Sequence, residues 1–222
     1  RVLFHVTPLT LPQRLAVAAL GALSAIVFLT NLTVSGWANQ FYSAAAQAGS
    51  RNWTAFLFGS LDSQNAISID KPPASVWIMA LSVRLLGMNP LAILLPQALM
   101  GVVSTLLLYG CVRRYWGHDA GMIAGVLFVL TPVVAIVFRY NNPDALLVLL
   151  LMASLSSFMR TFEYDSSSAG NRRRTGWMAL AGAFLGLAFL TKQLEAFLIA
   201  PGLAVAFLAD SPSRPLRRVV DG

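Results

Sequence analysis

Charge is what this chain has least of. Asp, Glu, Lys and Arg make up 11% of its 222 residues, against 57% of hydrophobic type, and the mean hydropathy is +0.68. A water-soluble domain of this length needs far more charge on its surface, so the bilayer is the expected solvent for most of the chain. Cysteine is as scarce: the lone Cys111 lies in an apolar run, reads as a small buried residue and excludes an intrachain disulfide. The two histidines, His5 and His118, lack metal-ligand company. No Walker loop, dinucleotide fingerprint or nucleophile elbow is present. The first apolar run, 15–34, is long and has no small-residue cleavage site, so it reads as a span and not as a cleavable signal. The net charge of +7 is spread between apolar runs and forms no patch, which argues against nucleic acid as a partner and for membrane topology. Because the chain starts at Arg1 without Met and stops at Gly222, it is expected to be the N-terminal transmembrane module, residues 1–222, of a longer protein.

What is present is a series of apolar runs. A helix crossing a ~30 Å hydrocarbon core needs roughly 20 apolar residues. By that measure the fold class is all-α, a polytopic membrane helical bundle of about six spans: 15–34, 91–112, 120–138, 145–158, 177–190 and 196–208. Pro96, Pro132 and Pro201 are tolerated in such spans. Gly121/Gly125 and Gly182/Gly186 have the spacing of close helix packing. The segment 74–86 contains Arg84 and is too short to cross upright, so it is expected as an interfacial helix of a long first extracytoplasmic loop, 35–90. With the N-terminus cytoplasmic, Arg1, Arg14, Arg113, Arg114, Arg160, Arg172, Arg173, Arg174, Arg214, Arg217 and Arg218 fall inside, and Arg51, Lys71, Arg84, Arg139 and Lys192 outside. That is the sense the positive-inside rule requires. A spanning 74–86 with the N-terminus outside satisfies the rule equally well, but it separates Asp70 from Asp144. Residues 162–175, with serines, Gly170 and three consecutive arginines, read as a flexible cytoplasmic loop.

The one long polar interval of the first half, 36–73, ends in Asp70-Lys71-Pro72-Pro73. In the six-span topology it faces the turn Arg139-Tyr140-Asn141-Asn142-Pro143-Asp144 and the segment Thr191-Lys192-Gln193-Leu194-Glu195. Charges near membrane depth face a cavity or a partner, and the convergence of these three clusters is the main functional signal. A carboxylate there can act as general base or hold a metal. Lysine and arginine beside it suit a phosphate. Asp70 and Asp144 are therefore the candidate catalytic residues, with Lys71, Arg139 and Lys192 as candidate phosphate ligands. Each also has a plainer reading: Asp70 and Lys71 as solvated loop residues or a local pair, Asp144 as a first-turn acid, Asn141-Asn142-Pro143 as turn chemistry, Lys192 and Glu195 as an i,i+3 pair.

Trp37-Ala38-Asn39-Gln40-Phe41-Tyr42, Trp53, Asp70-Lys71-Pro72-Pro73, Trp77, Arg139 to Asp144 and Leu190-Thr191-Lys192 together resemble the N-terminal module of GT-C type membrane glycosyltransferases. The similar groups are the protein O-mannosyltransferases, the lipid A aminoarabinose transferases and, nearest, the bacterial mannosyltransferase group of the YkcA/YkcB type. The resemblance implies a cell-membrane, multi-pass enzyme that passes a sugar from a polyprenyl-phosphate carrier to a lipid, glycan or protein acceptor on the extracytoplasmic side. It places Lys71 at the lipid phosphate, Asp70 at the acidic position before it and Asp144 at the second-loop acid. Asn39, Tyr42, Arg139 and Lys192 would support substrate or phosphate binding. A divalent metal is compatible with the family type, though the sequence does not demand one. Relatives usually carry Asp-Glu where this chain has Asn39-Gln40, and an asparagine cannot take a proton at neutral pH. The alternatives are a transporter or lipid flippase, which would place charges near the midplane and show inverted repeats, and a scaffold without chemistry.

Overall fold

The computed structural model describes residues 8–164 and 168–210; the expectations for His5, Arg1, Arg214, Arg217 and Arg218 fall outside them. Nine helices follow one another among the described residues: α1 (Leu11–Leu29), α2 (Gln40–Arg51), α3 (Trp53–Phe58), α4 (Ala74–Leu86), α5 (Pro90–Leu130), α6 (Pro132–Phe138), α7 (Asp144–Arg160), α8 (Ser168–Lys192) and α9 (Ala200–Asp210), with 3₁₀ turns at Leu32–Ser35, Thr161–Glu163 and Gln193–Ile199. The one β feature described is an isolated bridge between Ser60 and Ser68. The class is therefore all-α, as the apolar runs require.

Four stretches, Leu11–Ser35, Pro90–Leu130, Asp144–Glu163 and Ala169–Leu208, are long and apolar enough to cross a membrane. α5 has 41 residues; a straight helix of that length reaches about 60 Å at ~1.5 Å per residue, twice a hydrocarbon core. It does not run straight. Gly117 leaves helical geometry at φ 88°, ψ 175°, a left-handed φ open to glycine. Residues 118–130 then turn back on 90–116: the Tyr109 hydroxyl and His118 Nδ1 lie 3.0 Å apart, and a Cβ on Gly121 would meet the Tyr109 carbonyl at 2.9 Å. The chain reverses again between Lys192 and Ala200, with Gln193 at φ 42°, and α9 returns along α8 until Phe207 lies 5.9 Å from the Arg174 guanidinium.

In lipid, apolar side chains gain little by leaving one apolar medium for another, so close packing carries helix association. Glycines show where it is closest. A Cβ on Gly125 would fall 2.5 Å from Leu20 of α1, and one on Gly101 would fall 2.7 Å from Phe138 and 2.8 Å from Phe28. The Gly121/Gly125 spacing thus marks a real contact. Gly182 and Gly186 do not: a Cβ on either meets nothing within 4 Å among the described residues. Gly182 instead borders an apolar groove of about 480 Å³ between α7, α8 and α9. A second correction concerns 162–175. Apart from residues 165–167, which lie outside the described part, it is ordered as a 3₁₀ turn and the first turns of α8. Arginine is a good helix former, and the Arg160 guanidinium sits 4.4 Å over the Trp177 ring, tying this end of α8 to α7.

Between α1 and α5 the chain builds a small layer of its own. α2 packs on α4, and α4 on α5, with Gly49 so close that an added Cβ would lie 3.2 Å from that of Ala80. Arg84 of α4 lies 3.6 Å over the Trp53 ring and donates to the Gly49 carbonyl at 3.0 Å, so this cation has a structural post. Phe56 stacks on Trp77 at 6.0 Å. In the following loop Asp62 accepts from the Gln64 N–H at 2.7 Å and the Ile69 N–H donates to the Gly59 carbonyl at 3.0 Å. These bonds deliver Asp70 to the head of α4.

Candidate active site

Asp70 and Lys71 sit on the loop just before α4, and Pro72-Pro73 leads directly into that helix. Their side chains pair at 3.7 Å and remain open, 60% exposed for Asp70 and 37% for Lys71. Asp144 is the first residue of α7, where the exposed N–H groups of the first turn favour a carboxylate. Lys192 ends α8 and donates to Asp144 Oδ1 at 2.6 Å; it also pairs with Glu195 at 2.8 Å. The local pairs anticipated at Asp70-Lys71 and Lys192-Glu195 thus form. The contact across α7 and α8 was not separately legible in the sequence, because 48 residues separate its partners.

Tyr42 bonds to the first pair and feels the charges of the second. Its ring is nearly buried on α2, and its hydroxyl donates to Asp70 Oδ1 at 3.2 Å. Burial, then the charge of Asp70 and the hydrogen bond to it, then the charge of Asp144, push its pKa from 10.0 to about 12, with Lys192 opposing. One hydroxyl therefore feels the Asp70 loop and the Asp144–Lys192 pair together.

Arg139 is placed differently. Its guanidinium donates to the Val27 carbonyl in the last turn of α1 at 2.7 Å, one of the carbonyls a helix end leaves open, and to the Asn31 carbonyl just beyond it at 3.3 Å. Asn39 is the N-cap of α2, its side chain accepting from the Phe41 N–H at 3.1 Å, as asparagine commonly does. The residue overlooked by sequence reasoning is Asn141, which reads there as turn chemistry alone. It is fully buried and bonded to Asn39 and Ser43. No periodic or charge signal distinguishes it from Asn142.

Among the described residues no group of three or more His, Cys, Asp or Glu side chains stands together as a metal site. The two aspartates each face a lysine, which a cation would have to displace, so no step below is routed through a metal. Chemically the cluster offers two carboxylates able to accept a proton, two ammonium groups able to hold an anion, and a protonated phenol between them.

The family described as dolichyl-phosphate-mannose-protein mannosyltransferase matches residues 70–220. YycA of Bacillus subtilis (strain 168), a mannosyltransferase by name, is 33% identical over 174 residues, covering 78% of this chain and 24% of YycA. YkcB of the same organism, named likewise, is 29% identical over 197 residues, covering 89% and 26%. The undecaprenyl phosphate-alpha-4-amino-4-deoxy-L-arabinose arabinosyl transferase 2 of Pseudomonas fluorescens (strain Pf0-1) is 28% identical over 160 residues, covering 72% and 28%. In fold, the crystal structure of ArnT from Cupriavidus metallidurans in the apo state matches 92% of this chain and 37% of its own at a TM-score of 0.66 and 20% identity. The chain thus spans about a quarter of the length of the curated relatives it matches. With the match over 70–220 taking in more than half of its residues, the chain belongs to the dolichyl-phosphate-mannose-protein mannosyltransferase family of membrane proteins.

Proposed function

We propose that this chain is the N-terminal membrane module of a glycosyltransferase that moves a sugar from a polyprenyl-phosphate carrier to an acceptor on the extracytoplasmic face. The observation that carries the reading is the Tyr42 hydroxyl, which bonds to Asp70 of the Asp70–Lys71 pair and feels the charges of the Asp144–Lys192 pair, in a chain of this family. Lys71, the more exposed lysine, takes the donor phosphate as a point charge. Asp70, open to water and held by its lysine only at 3.7 Å, is better placed to accept a proton than Asp144, whose Oδ1 is engaged by Lys192 at 2.6 Å. The acceptor hydroxyl attacks the anomeric carbon, the bond from that carbon to the phosphate oxygen breaks, and the proton passes to the carboxylate. The negative charge gathering on the departing polyprenyl phosphate is met by Lys71, with Lys192 behind it. Asn39 and Tyr42 line the approach from α2. Arg139, anchored on α1, contributes its charge to the same face while holding the turn that carries Asp144.

The same reading sets six crossings: α1, the two arms of α5 with α6 completing the second, α7, α8 and α9. It is supported by the two reversals, at Gly117 and at 193–199, each of which divides one of the four apolar stretches. α4 stays at the surface, its Arg84 held over Trp53 and on the Gly49 carbonyl.

The test is sugar transfer by the full-length protein in membranes, read as release of polyprenyl phosphate from a sugar-charged carrier. Asp70→Asn and Lys71→Ala are each expected to lower it by at least about 100-fold at unchanged protein level. Full activity in both overturns the assignment; movement of a labelled lipid across vesicles without carrier release replaces it with a transporter.

A further inference from the structure

We infer that Asn141 is a positioning residue, a clamp that sets the distance between the two halves of the site; this rests on the glycosyltransferase reading above. Asn141 lies three residues before Asp144 and is 0% exposed. Its carboxamide makes three bonds to the start of α2. Oδ1 accepts from the Asn39 N–H at 2.7 Å, while Nδ2 donates to the Asn39 carbonyl at 2.9 Å and to Ser43 Oγ at 2.9 Å. Ser43 passes the chain on, donating to the Trp37 carbonyl at 2.9 Å. The clamp therefore joins segments 102 residues apart.

The chemistry of the clamp is specific. Pairing with both the N–H and the C=O of one residue needs a donor and an acceptor on a single planar group, which only Asn and Gln carry. An ionised Asp has no donor, and Gln brings an extra methylene into a closed site. α2 does not need Asn141 for its own end, because the Asn39 side chain already caps it. The three bonds hold a strained segment instead. Ala38 sits at φ 49°, a left-handed conformation that costs a non-glycine residue about 1–2 kcal/mol. Released, that segment relaxes and carries Tyr42, one turn further along α2, away from its place between Asp70 and the Asp144–Lys192 pair.

The experiment uses the full-length protein with Asn141→Asp, isosteric but stripped of its donors. Ser154→Ala is the control; it removes a buried bond from α7 to the Ala181 carbonyl far from the site. Hydrogen exchange of the peptide covering 37–43, kcat, donor KM and unfolding temperature are measured in each. Asn141→Asp is expected to speed exchange at 37–43 and to lower kcat by about 10–100-fold, the scale of a misplacement near 1 Å, with donor KM within about threefold because Lys71 is untouched. Ser154→Ala, at a comparable loss of unfolding temperature, keeps its kcat. Should Asn141→Asp not fold, Ser43→Ala removes one bond of the three and is expected to give the same pattern at about 2–5-fold in kcat. Unchanged exchange at 37–43, or loss of kcat in step with unfolding temperature in variant and control alike, overturns the clamp. A wild-type protein without transferase activity overturns the glycosyltransferase reading and leaves exchange at 37–43 to decide the clamp alone.

Discussion

The two ends of α7 use similar ingredients for different ends. At its last turn Arg114 reaches both carboxylate oxygens of Glu163 at 2.7 Å, and the Tyr115 hydroxyl donates to the Met159 carbonyl at 2.7 Å. The Trp177 N–H meets the Tyr164 hydroxyl at 3.1 Å, and Arg160 lies over the Trp177 ring. The carboxylate there is only 18% exposed. At its first turn the cation is a lysine, Lys192, which meets Asp144 and Glu195 through single contacts, and Asp144 is 31% exposed. Arg114 holds the largely covered Glu163 through one nitrogen, Nη1, shared between both oxygens, whereas an ammonium is a movable point charge. One end is closed around its carboxylate; the other, on the function proposed above, exchanges partners with an incoming anion.

The comparison breaks most sharply at Lys192. Lys192→Met removes the ammonium shared by Asp144 and Glu195 and leaves two carboxylates facing each other. Transfer by the full-length protein is expected to fall at least about 100-fold, near 2.7 kcal/mol of lost transition-state stabilisation, while Lys192→Arg keeps a measurable part. Wild-type rates in Lys192→Met would make the first turn of α7 as structural as the last. At the other end Glu163→Gln strips Arg114 of its charged partner. It should lower stability by about 1–3 kcal/mol, seen as an earlier thermal transition in detergent, with the rate per folded molecule unchanged. A fall in rate without a fall in stability would contradict the division between the ends.

The contrast also shows what a sequence can reveal here. Apolar runs expose helices because the bilayer filters for them, so α1, α5, α7 and α8 were legible; the expected clustering of Asp70, Asp144 and Lys192 is met in the structure by the Asp144–Lys192 bond alone, with Asp70 held by Lys71 and Tyr42. The loop bearing Arg172, Arg173 and Arg174 was misread, since charge density looks like a loop when its helix partner, Trp177 against Arg160, is invisible. Gly182/Gly186 has the right spacing but no close neighbour among the described residues, because spacing reports opportunity for packing and not the neighbour. Arg139 has a structural role that nothing in the chain announces, since Val27 and Asn31 present it with carbonyls. Asn141 was hidden most completely, because its three bonds depend on a strained turn 102 residues away.

The finest test of the contrast lies in the proton on Tyr42. A tyrosine ordinarily titrates near 10, and here burial and the neighbouring carboxylates hold the proton to about 12. The folded value is raised, so the stability linked to keeping that proton is fully present below pH 10 and is lost as pH rises through 12. Across the range where the enzyme can be assayed, Tyr42 remains a donor to Asp70 and contributes no limb to the rate profile. Tyr42→Phe should therefore lower the height of the profile by about 3–10-fold, the worth of one hydrogen bond to a charged group, without moving its limbs along the pH axis. An alkaline limb between pH 9 and 10, present in the wild type and absent in Tyr42→Phe, would mean that the phenol loses its proton during turnover, making it a proton-transfer group instead of the hinge between the two pairs.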